Sequence, residues 1–254
     1  MTTSSGMPKV SGNRISFIES GKKEHMITEN LLEVHDKITK ACRSVGRDPS
    51  EVTLICVSKT KPVSMIREAY ESGERCFGEN KVQEIVEKMP ELPSDIVWHM
   101  IGHLQRNKVK AVVGRAELIH SVDSLRLAQA IEQEAERQGI VADVLLEVNV
   151  AEEETKFGLK VEDVLPLVQE LSGFDHIHVC GLMTIAPFVE NPEENRMVFR
   201  KLKKLSVDIS AKNINNVDMN VLSMGMTNDY EVAVQEGATM VRVGTGIFGM
   251  RSYD

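Results

Sequence analysis

Length, composition and charge narrow the class of protein. The chain has 254 residues, of which 42% are hydrophobic and 27% charged, a composition typical of a globular protein with a sizeable core. Its formal net charge of −8 offers no positive field to a nucleic-acid backbone, so we expect no nucleic-acid binding. The four cysteines contain no CxxC pair and no apolar stretch is long enough to cross a membrane, so we expect a cytoplasmic protein with free thiols.

The N-terminal segment differs from the rest of the chain. Residues 1–25 are polar and lack hydrophobic periodicity, so we interpret them as a flexible leader or an added segment, with one domain over 26–254. A helix is predicted to begin at Met26, because apolar residues then recur on one helical face. These residues are Leu31, Val34, Ile38 and Cys42, and the pattern ends at Gly46 and Pro49.

From residue 52 a unit of strand, loop and helix recurs along the chain. The predicted strands are 52–57, 75–78, 96–101, 118–122, 144–150, 179–185, 221–224 and 240–243. One predicted helix begins at Pro62 and ends at Gly73. The others lie near 82–89, 104–113, 124–138, 160–172, 193–211 and 228–236. Eight such units predict an α/β protein with a single (β/α)8 TIM-type barrel, and an open doubly wound sheet is the alternative. Few residues follow the last strand, so the helix from Met26 is expected to fill the eighth helix position.

Candidate site residues are sought where strands end, because that is where such barrels carry their active sites. Lys59 follows Ile55 and Val57 in strand parity, so its amine is expected to reach into a partly desolvated barrel mouth. Desolvation favours the neutral form of an amine, which is the form that condenses with carbonyl groups. The alternative is a surface lysine at the end of a strand. Lys61 shares the parity but adjoins Pro62 and is the weaker candidate.

Arg242 is a charged residue within an apolar strand. Its neighbours Val241 and Val243 are predicted to face the helices, which places Arg242 in the barrel interior. A buried charge is costly unless it is paired or hydrogen-bonded. Either a carboxylate of the barrel or a bound ligand could be its partner, and the sequence leaves both open.

Small residues end the seventh and eighth predicted strands, where barrels frequently hold a phosphate group. They are Ser223, Met224 and Gly225 after the seventh strand, and Gly244, Thr245 and Gly246 after the eighth. Glycine lets main-chain N–H groups approach an anion, although it also serves simple turns. The helix near 228–236 is predicted to have Asn228 as its N-cap, with Glu231 completing a capping box.

We assign no metal ligands from the sequence. His99 and His103 have the i, i+4 spacing of zinc ligands, but a strand end and Gly102 separate them. His176 and His178 are interpreted as residues at the start of a strand.

Taken together, the strand-end motifs resemble those of a known family. The motifs are VSKTKP at 57–62, FGEN at 77–80 followed by Val82, Gln83 and Glu84, WHMIGHLQRNK at 98–108, GLMTI at 181–185, LSMGM at 222–226 and MVRVGTGIFG at 240–249. This set resembles the YggS/PROSC family of pyridoxal-phosphate homeostasis proteins over residues 26–254. Position 103, where many relatives carry a small residue or proline, is a histidine here.

The resemblance implies a fold like the barrel domain of alanine racemase and a bound pyridoxal 5′-phosphate. By resemblance, Lys59 carries the cofactor as a Schiff base, with Asn80 beside it. Ser223, Gly244 and Thr245 are implied to hold the phosphate, and the adjoining main chain of Met224 and Gly225 belongs to the same site. Arg242 is implied to face the pyridine nitrogen.

The implied site favours holding the cofactor over using it. Arg242 would oppose protonation of the pyridine nitrogen, which weakens the ring as an electron sink. The tyrosine that serves racemases as a second base comes from a domain this chain lacks, and no context assigns that role to Tyr70, Tyr230 or Tyr253. We therefore expect a monomeric protein that buffers pyridoxal 5′-phosphate, delivers it to apo-enzymes and influences amino-acid and keto-acid balance. A weak amino-acid racemase and a barrel without cofactor are the alternatives.

Overall fold

The protein is a closed barrel of eight parallel strands. The computed structural model describes residues 14–153 and 155–250. The strands are β1 (Thr53–Val57), β2 (Cys76–Glu79), β3 (Val97–Met100), β4 (Leu118–Val122), β5 (Ala142–Glu147), β6 (Ile177–Met183), β7 (Val217–Met226) and β8 (Met240–Val243). They pair in sequence order, and β8 closes the barrel against β1. The predicted (β/α)8 fold is confirmed, and the open sheet is excluded.

Helices surround the barrel. In the described part of the chain the α-helices are α1 (Arg14–Ser44), α2 (Val63–Glu71), α3 (Val82–Lys88), α4 (Val109–Val112), α5 (Leu125–Gln138), α6 (Val161–Leu171), α7 (Arg196–Ser210), α8 (Tyr230–Gln235) and α9 (Thr245–Phe248). Short 3₁₀ helices precede β1, follow α3, and lead into α4 and α7. The helix predicted near 104–113 is therefore a 3₁₀ turn over Arg106–Lys108 followed by the short α4. No helix in these residues combines the length and hydrophobicity needed to cross a bilayer.

The first helix occupies the eighth helix position, as predicted. It packs against α8, α9 and α2, and α9 has only 4 residues. Its buried face includes Ile27, Leu31 and Val34. The prediction was wrong about its start, because α1 begins at Arg14 and not at Met26. Residues 14–25 of the predicted leader are thus helical, and residues 1–13 lie outside the described residues.

Some strand limits differ from those predicted. β7 begins at Val217 instead of residue 221. Its first residues include the exposed polar Asp218 and Asn220, and for this reason the hydrophobic pattern did not predict them as strand. β5 ends at Glu147, and the apolar residues that follow it include Val148, which forms an isolated bridge with Leu159.

The barrel interior changes from apolar to polar along the strands. Leu118, Leu145 and Met183 form a small buried cluster separate from the main core. The next inward residues toward the carboxyl ends are His120 on β4 and Glu147 on β5. Polar side chains therefore line the inside of the barrel at the end where such folds carry their sites.

Candidate functional site

Arg242 lies in this polar layer, as its parity predicted. Its side chain is buried, while Val241 and Val243 belong to the core between strands and helices. Nη1 donates to Ser223 Oγ at 2.6 Å and Nη2 to the carbonyl oxygen of Thr184 at 2.9 Å. Burial lowers the pKa of Arg242 to about 10, partly opposed by nearby carboxylates, so the guanidinium remains charged at neutral pH. Among the described residues, its hydrogen bonds go to neutral groups and none to a carboxylate.

A chain of hydrogen bonds continues from Arg242 across the barrel. Ser223 Oγ lies 2.9 Å from Nδ1 of His120, and Nε2 of His120 lies 3.0 Å from Nδ1 of His99. Ser223 is on β7 and His120 on β4, which are not neighbours in the sheet, so this bond spans the interior. Nε2 of His99 is buried and has no hydrogen-bond partner in the described structure.

The direction of this chain follows from counting donors and acceptors. Ser223 Oγ already accepts from Arg242, and its own hydroxyl hydrogen needs an acceptor, which Nδ1 of His120 supplies. His120 then carries its proton on Nε2 and donates it to His99, which leaves His99 with an N–H at Nε2. Burial lowers the pKa of His99 to about 4 and that of His120 well below its ordinary value, so both rings are neutral. This series of hydrogen bonds therefore ends at the Nε2–H of His99, a donor with no partner in the described structure.

Glu147 is a second buried titratable group of this layer. It is 5% exposed at the carboxyl end of β5. Burial, reinforced by Asp123, raises its pKa to about 7 against the opposing effect of Arg242. A cavity of about 190 Å³ lies beside it, lined in part by Asn149, Lys156 and Phe157.

A second cavity is larger than this one but lies at the opposite end of the barrel. It measures about 340 Å³ and is lined by residues that precede or begin β4 and β5. Nothing in the polar layer lines this cavity, so it is not a part of the candidate site.

Lys59 lies half-buried in a loop that follows β1, here called the lysine loop (residues 58–60). The carbonyl oxygen of Ser58 accepts from Nζ of Lys88 at 3.0 Å, and the N–H of Thr60 donates to Oε2 of Glu84 at 2.7 Å. The main chain is thus held on both sides of Lys59. Thr60 has a φ of 63°, a left-handed conformation that costs a non-glycine residue of order 1 kcal/mol.

The groups that hold the lysine loop form one buried network. Nζ of Lys88 is 2.8 Å from both Oε1 of Glu79 and Oε2 of Glu84, and Ser58 Oγ donates to Oε1 of Glu79 at 2.6 Å. Burial raises the pKa of Glu79 to about 7 although Lys88 and Ser58 oppose this. Burial also opposes ionisation of Glu84, but hydrogen bonds from Lys88 and Thr60 outweigh it and keep that pKa below its ordinary value. Glu84 is therefore the ionised partner of Lys88 at neutral pH.

Donors converge on one oxygen where β8 ends. The N–H groups of Gly244 and Gly246 and the hydroxyl of Thr245 point to Oγ1 of Thr227, at 3.4, 3.3 and 3.2 Å. A hydroxyl oxygen has two lone pairs and cannot satisfy three donors well, so the long distances are expected. Gly244 also lies against β1, since a Cβ there would lie 3.3 Å from Val57. An anion with several oxygens suits this cluster better than a single hydroxyl does.

Three other predicted residues are placed less simply. Asn80 follows β2 and is partly exposed. Its main chain lies so close to Gly102 that a Cβ atom on residue 102 would be 2.4 Å from the carbonyl oxygen of Asn80. The side chain of Met224 is buried in the outer core, and Gly225, with a φ of 90°, packs against α8. Met224 and Gly225 can therefore contribute to a site only through their main chain.

The predicted helix cap at Asn228 is wrong. The N-cap of α8 is Asp229, whose side chain makes no capping bond to the helix and accepts instead from the N–H of Met226. Asn228 Nδ2 donates to the carbonyl oxygen of Val189, in the loop after β6. The predicted capping box with Glu231 does not form, because Asn228 is engaged by this neighbouring loop.

The sequence interpretation missed several residues of the site. Thr227 follows the LSMGM motif and Glu84 belongs to the motif that begins at FGEN, with Lys88 four residues further on, but no role was predicted for any of them. His120 does have a signal, since a histidine at an inward position of the run LIHSV interrupts an apolar strand as Arg242 does. Reading every strand with a period of two would have found it.

Comparison with known proteins identifies the class. The family described as alanine racemase, N-terminal domain, matches residues 35–252. The barrel thus belongs to that domain class. An alanine racemase of Clostridium difficile shares the fold at 16% identity and a TM-score of 0.70, covering 91% of this chain and 58% of the racemase.

Closer relatives narrow the class to one family. The pyridoxal phosphate homeostasis protein of Aquifex aeolicus is 46% identical over 226 residues, which is 89% of this chain and 98% of the relative. PipY of Synechococcus elongatus, solved with pyridoxal phosphate bound, has 36% identity and a TM-score of 0.76, covering 88% of this chain and 100% of PipY. The chain belongs to the pyridoxal phosphate homeostasis protein family, as its motifs predicted.

Proposed function

We propose that this protein binds pyridoxal 5′-phosphate reversibly at the carboxyl ends of β7, β8 and β1 and acts in the homeostasis of that cofactor. One observation carries the proposal. Three features meet at the carboxyl ends of β7, β8 and β1, which are neighbours in the barrel. They are the lysine loop, the cluster of poorly satisfied donors around Thr227 and the buried guanidinium of Arg242. The names of the relatives and the ligand of PipY support the same cofactor.

Lys59 supplies the amine in this proposal. The cofactor contributes an aldehyde, which condenses with a neutral amine to give a Schiff base. The competing amine of Lys61 donates to the carbonyl oxygens of Phe248, Gly249 and Met250 at 3.0 to 3.2 Å. An ammonium group bound by three carbonyls is stabilised in its protonated form, so Lys61 serves to hold the chain after β8.

The phosphate is held where β7 and β8 end. Gly244, Gly246 and Thr245 direct donors to one point, and Thr227 completes that cluster. Gly225 and the preceding Met224 lend main chain only. A dianion there supplies the acceptors that the single hydroxyl of Thr227 lacks.

Arg242 donates to the ring nitrogen in this proposal. Ser223 and Thr184 fix the guanidinium from one side, so Ser223 positions Arg242 instead of binding phosphate through its side chain. Asn80 follows Glu79, which accepts from Ser58 of the lysine loop. The N–H of His99 is a further donor for the ring substituents. A ring nitrogen that accepts from a guanidinium stays unprotonated, which disfavours carbanion chemistry.

The tyrosines also support a holder over a racemase. Tyr70 donates its hydroxyl hydrogen to Asp95, and Tyr230 is buried behind Gly225. Tyr253 lies outside the described residues. Neither described tyrosine is placed to exchange protons at the site, so we propose capture and delivery of the cofactor, with apo-enzymes as recipients.

Borohydride reduction tests the covalent step. The protein is incubated with pyridoxal 5′-phosphate, reduced, digested and mapped by mass spectrometry. We expect the added mass on Lys59, its loss in Lys59→Ala, and its retention in Lys61→Arg, which keeps the cation. Modification spread over many lysines, or unchanged in Lys59→Ala, would contradict the proposal. Sustained exchange of amino-acid α-protons in deuterated water, lost in Lys59→Ala, would favour the racemase instead.

Delivery requires a separate experiment. The loaded protein is mixed with an apo-enzyme in the presence of a phosphatase that destroys free pyridoxal 5′-phosphate. Reactivation that persists with the phosphatase present indicates direct transfer between the two proteins. Reactivation abolished by the phosphatase would restrict the role to storage and release.

A further inference from the structure

Three side chains with metal-binding atoms meet at the amino-terminal mouth of the barrel. Oδ1 of Asp143 is 2.9 Å from Nδ1 of His178, and Sγ of Cys180 is 3.5 Å from the same nitrogen. One ligand atom from each of these residues lies within 4.8 Å of the other two. The cluster lies at the starts of β5 and β6, at the opposite end of the strands from Lys59.

The strands hold the three side chains in place. Asp143 and His178 are register partners on adjacent strands, and Cys180 lies at a bulge of β6 with its sulfur 3.5 Å from Nδ1 of His178. The three ligands therefore depend on sheet pairing and not on a mobile loop. Asp143 is 44% exposed at its side chain, which leaves an entry path from solvent.

A fourth residue orients the imidazole. Nε2 of His178 lies 3.1 Å from Oδ2 of Asp218 on β7, while both other ligand atoms lie near Nδ1. When Nε2–H donates to that carboxylate, the lone pair of Nδ1 faces Asp143 and Cys180. A carboxylate behind a histidine in this way is the usual outer partner of a metal-bound imidazole.

We propose that Asp143, His178 and Cys180 bind a zinc ion, with Asp218 as the outer partner of His178 and water as the fourth ligand. Thiolate, imidazole and carboxylate together are a ligand set that zinc favours. Tetrahedral zinc with ordinary bond lengths separates its ligand atoms by roughly 3.4–3.6 Å. The sulfur–nitrogen distance already fits, and the oxygen–nitrogen distance opens by about 0.5 Å. Binding releases the thiol proton of Cys180 to solvent.

The competing interpretation is a charge bridge without metal. A protonated His178 could donate to Asp143 and Asp218 at once, and Cys180 would then be a bystander. The two interpretations differ in what they predict for the sulfur, because a charge bridge does not need it.

Metal titration distinguishes them. The chelator-treated full chain is titrated with Zn²⁺ against a chromophoric chelator, and separately with Co²⁺ to record thiolate-to-cobalt charge-transfer absorption. We expect one zinc ion per chain, an affinity loss of more than about 100-fold in His178→Ala, and a loss of about 10–100-fold in Asp218→Ala. Cys180→Ala is expected to abolish the charge-transfer band.

Matched variants control for general effects. His176→Ala removes a histidine of nearly equal exposure that also contacts a carboxylate, Glu132. Cys76→Ala removes another partly buried thiol. Both are expected to bind zinc like the unmodified protein. Zinc affinity unchanged in His178→Ala, or a cobalt band unchanged in Cys180→Ala, would overturn the proposal, and circular dichroism verifies that the variants are folded.

Discussion

The two mouths of the barrel are the opposite ends of the same eight strands, but their polar side chains differ in burial. At the carboxyl mouth, Arg242, Ser223 and His120 are buried and joined by short hydrogen bonds. At the amino mouth, the side chains of Asp143 and Asp218 are 44% and 56% exposed around His178. Desolvation lowers the pKa values of Arg242 and His120 at the first mouth, whereas water screens the exposed carboxylates at the second. The difference predicts where substitutions are costly.

The largest effect is expected from Lys88→Met. The substitution leaves Glu79 and the carbonyl oxygen of Ser58 buried without their cation, so we expect a loss of about 3–5 kcal/mol in the free energy of unfolding near pH 8. The loss shrinks toward acid pH, because Glu79 can then accept a proton. Lys59 should also lose reactivity toward pyridoxal 5′-phosphate as its loop is released.

Denaturant unfolding at several pH values measures this effect. Lys81→Met, at an exposed lysine just before the same helix, is the control and should stay within about 0.5 kcal/mol of the unmodified protein. Equal losses of unfolding free energy in the two variants would mean that the buried network does not hold the lysine loop.

Glu147→Gln is expected to change the pH dependence of stability. The folded state holds the proton of Glu147 up to pH about 7, above its ordinary pKa of 4.5. Its contribution is therefore fully present below pH 4.5 and is lost as pH rises through 7. The difference in unfolding free energy between the two proteins should shift by about 3 kcal/mol across that window, in favour of the glutamine variant. Parallel curves would show that Glu147 titrates normally.

Two buried serines provide an intermediate test. Ser223→Ala leaves an N–H of Arg242 and Nδ1 of His120 without partners, which should cost about 1–3 kcal/mol. Ser121 is equally buried, but its hydroxyl oxygen has no hydrogen-bond partner in the described structure, so Ser121→Ala should be neutral or slightly stabilising. Thermal and denaturant unfolding compare the pair, and equal costs would mean that the hydrogen bonds of Ser223 contribute nothing.

The smallest effect is expected at the amino mouth. Asp218→Asn in chelator-treated protein should change the free energy of unfolding by less than about 1 kcal/mol, because exposed ion pairs contribute little. Denaturant unfolding with and without Zn²⁺ measures it. A loss as large as that of Lys88→Met would show that the two mouths do not differ in the way described above.

Most of the fold could be predicted from local patterns. The limits of β4 and β8 agree with the predicted 118–122 and 240–243, because Glu117 and Asp123 bound the first run and Thr239 and Gly244 bound the second. The start of β7 and the true start of α1 could not be found in this way. Both segments are rich in polar residues and lack a hydrophobic period, so the sequence pattern does not reveal the strand or helix there.

The candidate site was predictable only as a set of positions. Strand parity placed Arg242 in the interior and Lys59 at the mouth, but it could not name the partners of either residue. His120 reaches Ser223 across the barrel, and Lys88 at the end of α3 reaches the lysine loop. Such partners are chosen by barrel closure and not by spacing along the chain.

The sequence alone determined the eight strand–helix units, the inward position of Arg242 and the family, because periodicity and motifs are local properties of the chain. Only the tertiary structure decided that Arg242 binds neutral groups, that three donors share Thr227, and that Asp143 meets His178. These contacts join residues far apart in sequence, and they depend on strand register and on the distance across a closed barrel.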